Sequence, residues 1–141
     1  VLWGLTLLPL WGALPVLAQD CQERPDTHDA TIPQPVTAAL HAHCRTRMQT
    51  LRARAQQHKA QIEWRRTPAG DMQGYYISYS PSHTCTARRT AQDTLVGTLE
   101  YWALHYTLTG PTIAAATAHE AEPEQAEKIT EMFLYRDGQW K

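Results

Sequence analysis

Apolar positions along the chain fall into two regimes. Val36, Leu40, Cys44, Met48, Leu51 and Ala55 recur at steps of three and four, the spacing of a single helical face. Pro35 suits a first turn, where a missing N–H costs nothing, and the intervening Ala, Gln and Arg residues are good helix formers. A helix over about residues 35 to 60 follows. Beyond it the period drops to two and the residues become aromatic and β-branched. Ile62 to Arg66 reads as a strand ending at the turn cluster Thr67 to Asp71. In Gly74 to Tyr79, Tyr75, Ile77 and Tyr79 alternate with Tyr76 and Ser78. After Ser80-Pro81-Ser82-His83, Thr84 to Arg89 is a shorter strand. Thr94 to Leu108 is the longest run, apolar on both faces and therefore central. Residues 110 to 126, with Gly110, Pro111 and Pro123, read as a mobile connection. Ile129 to Tyr135 is the last strand, turning at Asp137-Gly138 towards Trp140, and a returning strand is expected beyond Lys141.

One helix ahead of a run of strands is an α+β arrangement: a long N-terminal helix packed on a curled antiparallel sheet of about 4–5 strands. The element order resembles that of cystatin-like and NTF2-like domains. Phe133-Leu134-Tyr135-Arg136-Asp137-Gly138-Gln139-Trp140 also looks like the last hairpin of NTF2-like domains. Tyr76-Ile77-Ser78-Tyr79, Arg89-Thr90 and Val96 to Tyr101 resemble uncharacterised exported bacterial envelope proteins. The NTF2-like resemblance implies a cleft opening between the concave sheet and the helix.

Composition changes the picture chiefly at the start. Residues 1–18 carry no charge, are apolar around Gly4, Pro9, Gly12 and Pro15, and end in Val16-Leu17-Ala18 before Gln19-Asp20. This is the pattern of a cleaved secretory signal, so residues 19–34 become a polar, proline-punctuated lead-in and 35–141 a single α+β domain. A retained membrane anchor is the competing reading, and membrane contact is expected only in that case. The protein is thus expected to be periplasmic or secreted. In an oxidising compartment two of Cys21, Cys44 and Cys85 should pair, with Cys44 favoured because it lies on the apolar stripe. The third is left as a buried thiol or a link between chains. Net charge is −1, which argues against nucleic acid held by bulk charge.

Candidate chemistry is sparse. Arg45, Arg52 and Lys59 recur every seven residues and form a basic stripe suited to an anionic ligand or partner, or simply a solvated face balanced by Glu120, Glu122, Glu124, Glu127 and Glu131. Tyr75, Tyr76, Tyr79, Tyr101, Trp102 and Tyr106 gather in two strands, where they serve either as core and cross-strand pairs or as the floor of a ligand cleft. Tyr75, Tyr79, Tyr101, Trp102 and His105 are the residues expected to meet a ligand. No spacing brings His83 or His105 to Ser78, Ser80, Ser82, Asp93 or Glu100 as a catalytic set. His41 and His43, two apart on a helix, cannot share a metal, and neither metal nor cofactor is expected. Gln92 to Gly97 is similar to the Gln-x-Val-x-Gly hairpin of cystatin inhibitors, except that Val96 and Gly97 are adjacent. The main expectation is a non-enzymatic binding protein with an unknown protein or small ligand in the cell envelope. A pocket enzyme of NTF2-like type is the second class. A protease inhibitor presenting hairpins at Gly97 and Trp140 is the third.

Overall fold

Helix α1 runs Gln34–Ala60, and its apolar stripe goes inward as the spacing demands. Leu40, Cys44 and Met48 are fully buried, and Leu51 and Ala55 nearly so. The structure, a computed structural model, describes residues 28–141; residues 1–18, expected to be a signal peptide, Cys21 and the lead-in as far as residue 27 lie outside the described residues. Among the described residues no helix is long and apolar enough to cross a membrane.

The helix lies against a curled antiparallel sheet of six strands: β1 (Arg65–Arg66), β2 (Met72–Tyr79), β3 (Thr84–Arg89), β4 (Leu95–Gly110), β5 (Gln125–Arg136) and β6 (Gln139–Trp140). β4 is central, as its two apolar faces imply. β5 flanks it on one side, while β3 and then β2 follow each other along the other. The junction of β2 and β3 is a bulge. Pairing stops at Tyr79↔Ala103 and resumes at Thr84↔Glu100, so Ser80 to His83 stand opposite only Trp102 and Tyr101. Ser80 fills the corner, fully buried: its hydroxyl donates to the Ser82 carbonyl (2.7 Å) and accepts from the Trp102 amide (3.1 Å).

Two apolar clusters lie on opposite pleats of β4. On one, Leu99 and Tyr101 pack with Cys85, Ala87 and Phe133 beneath the first half of α1. A Cβ on Gly97 would stand 2.5 Å from Leu40, so glycine there sets how closely α1 approaches. On the other, Leu108, Tyr106 and Tyr76 meet Ile62, Trp64 and Ala116. A disulfide joins Cys44 of α1 to Cys85 of β3, fixing the pairing that the sequence left open and confirming Cys44 as a participant.

Three boundaries differ from the expectation. The sheet has six strands because Gln139–Trp140 returns as β6 through a turn in which Asp137 and Gly138 both have positive φ (54° and 75°), the geometry an Asp-Gly hairpin favours. The segment after Gly110 is not all connection: α2 (Ile113–Thr117) forms there, with the Thr112 hydroxyl accepting from the Ala115 amide, and β5 already starts at Gln125. The predicted strand at Ile62 to Arg66 shrinks to its last two residues, because Ile62 and Trp64 are used to cover Gly74.

Candidate functional site

Tyr76 and Tyr106 are register partners in β2 and β4, so their rings share one pleat. They stack in parallel, centroids 4.6 Å apart. The second half of α1 passes beside them and sets Lys59 Nζ 5.0 Å from the Tyr76 ring centre, a cation over an aromatic face. About two turns earlier on the same helix, Arg52 reaches the bulge, where its Nη2 donates to the carbonyls of Ser80 (3.0 Å) and Pro81 (2.7 Å). Its Nε is buried without a hydrogen-bond partner. The opposite wall is α2 and the residues after it, Thr117, His119, Glu120 and Ala121. Between the walls opens a cleft of about 560 Å³, floored by Tyr76, Ser78 and Tyr106. Burial, then the neighbouring Tyr76 and the charge of Glu120, push the Tyr106 phenol above its ordinary pKa, so it stays a neutral donor.

The predicted ligand residues divide. Of the five, only Tyr79 lines this cleft. Tyr101 does not floor a cleft: it is buried, its ring meets Tyr79 edge-on, and its hydroxyl donates to Glu131 (2.6 Å). Burial and that bond to a carboxylate both raise its pKa. Trp102 is half-buried on the other pleat from Tyr101, because one residue's step along β4 reverses the face. Tyr75 and His105 come together instead, the Tyr75 hydroxyl hydrogen-bonded to His105 Nδ1, on the pleat opposite the stacked tyrosines. His105 Nε2 faces Glu127 at 3.7 Å and is otherwise buried without a hydrogen-bond partner. Of the basic stripe, Arg52 and Lys59 line the cleft, while Arg45 is exposed further up α1 and does not.

The inhibitor reading fails on position. Gly97 lies buried inside β4, paired on both sides, and Trp140 is buried with its indole N–H donating to the Val36 carbonyl (3.0 Å), so neither forms an exposed hairpin tip. Among the described residues no group of three His, Cys, Asp or Glu could hold a metal ion.

Two features escaped the sequence reading. The α2 wall came from a segment read as a connection; the signal that could have found it is Thr112 as an N-cap ahead of Ala114-Ala115-Ala116. Arg47 stands outside the basic stripe of Arg45, Arg52 and Lys59, yet it grips Glu131 with both Nε (2.8 Å) and Nη2 (3.1 Å). Its position was readable: three residues after Cys44 and four before Leu51, it flanks the apolar stripe.

Fold and cleft together define a small disulfide-linked α+β protein with an aromatic-floored, charged-walled cleft. Comparison of the chain with protein-family models, with curated proteins and with solved structures finds no match.

Proposed function

We propose that this is a non-enzymatic, exported binding protein, periplasmic or secreted, whose ligand occupies the cleft between α1 and the β2–β4 sheet. The observation that carries the reading is the stacked Tyr76–Tyr106 floor of a cleft of about 560 Å³, a size and lining suited to a small molecule. Tyrosines there give contact area with a polar tip. Lys59 and the buried, unpartnered Nε of Arg52 supply charge at the rim. The Cys44–Cys85 disulfide is compatible with an oxidising compartment, and the apolar residues 1–18 supply the export signal. The cleft between helix and sheet is also what an NTF2-like resemblance implies.

Two measurements test it. Mass spectrometry of the exported protein should find a chain beginning at Gln19, and a chain retaining residues 1–18 would remove the signal-peptide part of the reading. Native mass spectrometry of protein recovered from the envelope fraction should show a retained small ligand that is lost from Ser78→Trp, which fills the cleft floor. Wild-type protein that captures nothing beyond what Ser78→Trp captures would end the ligand-binding reading.

One observation favours a second reading, a pocket enzyme. Tyr75 hydroxyl, His105 imidazole and Glu127 carboxylate stand in the order of nucleophile, base and orienting acid. Hydrolysis of an aryl ester by the wild type and not by His105→Asn would support it; a wild type with no such activity would leave the patch as a cross-strand contact.

A further inference from the structure

The two walls of the cleft carry opposite charge. On the α1 side stand Arg52 and Lys59; on the α2 side stands Glu120. No ion pair joins Lys59 to Glu120, although both border one cleft, and both side chains belong to exposed residues. Lys59 lies over Tyr76, and Glu120 lines the same cleft as Tyr106. A ligand of one sign would be attracted by one wall and repelled by the other, whereas a ligand with both signs satisfies both. The size of the cleft bears on the size of the ligand. A volume of about 560 Å³ falls in the range that encloses drug-sized ligands, more than a free amino acid fills and room for two or three residues. The body between would lie on the tyrosine rings. Gln56, Ser78 and Thr117 border the same space and offer the neutral donors and acceptors that a peptide backbone needs.

We propose that the cleft takes a short peptide of two or three residues with free ends and apolar or aromatic side chains, its carboxylate against Lys59 and Arg52 and its ammonium against Glu120. This rests on the ligand-binding reading of the same cleft. It goes further in naming the ligand's chemistry, and it makes the rim charges of Lys59 and Glu120 the determinants of specificity.

Titration calorimetry on the full chain tests it with five probes: phenylalanyl-phenylalanine, its N-acetyl form, its C-terminal amide, the doubly blocked form, and free phenylalanine. The free-ended dipeptide should bind at least about tenfold more tightly than either singly blocked form, about 1.4 kcal/mol per lost end. Free phenylalanine should bind more weakly than the dipeptide. Lys59→Glu should weaken the dipeptide by a similar factor and should not weaken the amide, a cation that loses a repelling charge. Glu120→Lys should do the same for the dipeptide and should not weaken the N-acetyl form, an anion that loses a repelling charge. Both side chains are solvent-exposed, so neither change disturbs the core. If the doubly blocked form binds as well as the free-ended one, the peptide-end inference is overturned and the ligand cleft stands. If free phenylalanine matches the dipeptide, the length argument is overturned. If none of the five binds at millimolar concentration, the peptide inference is overturned, and the ligand reading of the cleft is decided separately by the comparison with Ser78→Trp.

Discussion

Glu131 shows how a residue that reads as surface charge becomes a structural anion. β5 places it beneath α1, where Arg47 binds both its carboxylate oxygens and the Tyr101 hydroxyl donates to one of them. Burial pushes its carboxyl pKa up, but the bonds from Arg47 and Tyr101 outweigh burial and hold it below the ordinary carboxylate value. A carboxylate whose pKa is depressed on folding stabilises the fold above its unfolded pKa, roughly 4.3, and that contribution is lost as pH falls through the folded value. Glu131→Gln should therefore cost about 1–3 kcal/mol at neutral pH, since the Arg47 side chain is still partly solvated. The difference from wild type should shrink in acid. Denaturant melts at pH 7 and pH 3 check this, and a gap that stays constant with pH would show that the carboxylate's charge is not what stabilises. Tyr101 behaves in the opposite sense. Its raised pKa favours the neutral phenol in the folded state, so its contribution is complete below an unfolded pKa of roughly 10 and is lost in stronger alkali.

At the scale of elements, the helix and the strand cores were legible because each follows a single period. The stripe from Val36 to Ala55 needs a period near 3.6, and β3 was bounded at Thr84 and Arg89 by turn residues on both sides. What the pattern does not carry is where a strand bends. Ser80-Pro81-Ser82-His83 reads as an ordinary turn between hairpin strands, yet β2 and β3 do not pair with each other; they run in succession along one edge of β4. Of the β2 tyrosines expected to meet a ligand, Tyr79 lines the cleft and Tyr75 does not. A bulge with two extra residues shifts the register without changing the pleat, so Tyr79 and Cys85 face the same side of β4, and the corner is held by contacts of Ser80 and Arg52. Ser80→Ala removes the acceptor of the Trp102 amide at a fully buried corner. It should cost about 1–3 kcal/mol in equilibrium unfolding, the penalty of an unmet backbone donor. A cost below a few tenths of a kcal/mol would mean the corner is held by Arg52 alone. Gly97 is a sharper test of helix-to-sheet distance. Gly97→Ala should destabilise by about 1–3 kcal/mol through collision with Leu40, and Leu40→Ala should cost less in that background than in the wild type, because the added methyl then has space. Additive costs in the double mutant would separate the two residues.

Over the whole molecule, α1 is tied to the sheet at four separate places: Trp140 to the Val36 carbonyl near its start, the disulfide at Cys44, the Arg47 pair to β5, and Arg52 to the bulge. The hydrogen-bonded and covalent ties named here end at Arg52, and the last two turns of the helix, which set Lys59 over Tyr76, form one wall of the cleft. The near-neutral net charge conceals this design, since cations of α1 are partly spent on internal bonds and only the end of the stripe remains at the cleft. Stability and recognition meet at Arg52 but otherwise occupy different parts of one helix, so the disulfide is separable from the cleft by mutation. Removing the disulfide with Cys44→Ala and Cys85→Ala opens a loop closed across a sequence separation of 41, which should cost about 2–4 kcal/mol. The unfolding midpoint should drop accordingly, and the same drop should follow from reducing the wild type. Affinity for a cleft ligand, measured well below the variant's own melting temperature, should stay within about twofold of wild type, because Cys44 lies two turns away from the first cleft residue of the helix. An unchanged midpoint would show that the bond contributes nothing to the fold. A midpoint and an affinity that fall together would show instead that the cleft wall is held by the whole helix rather than by its end.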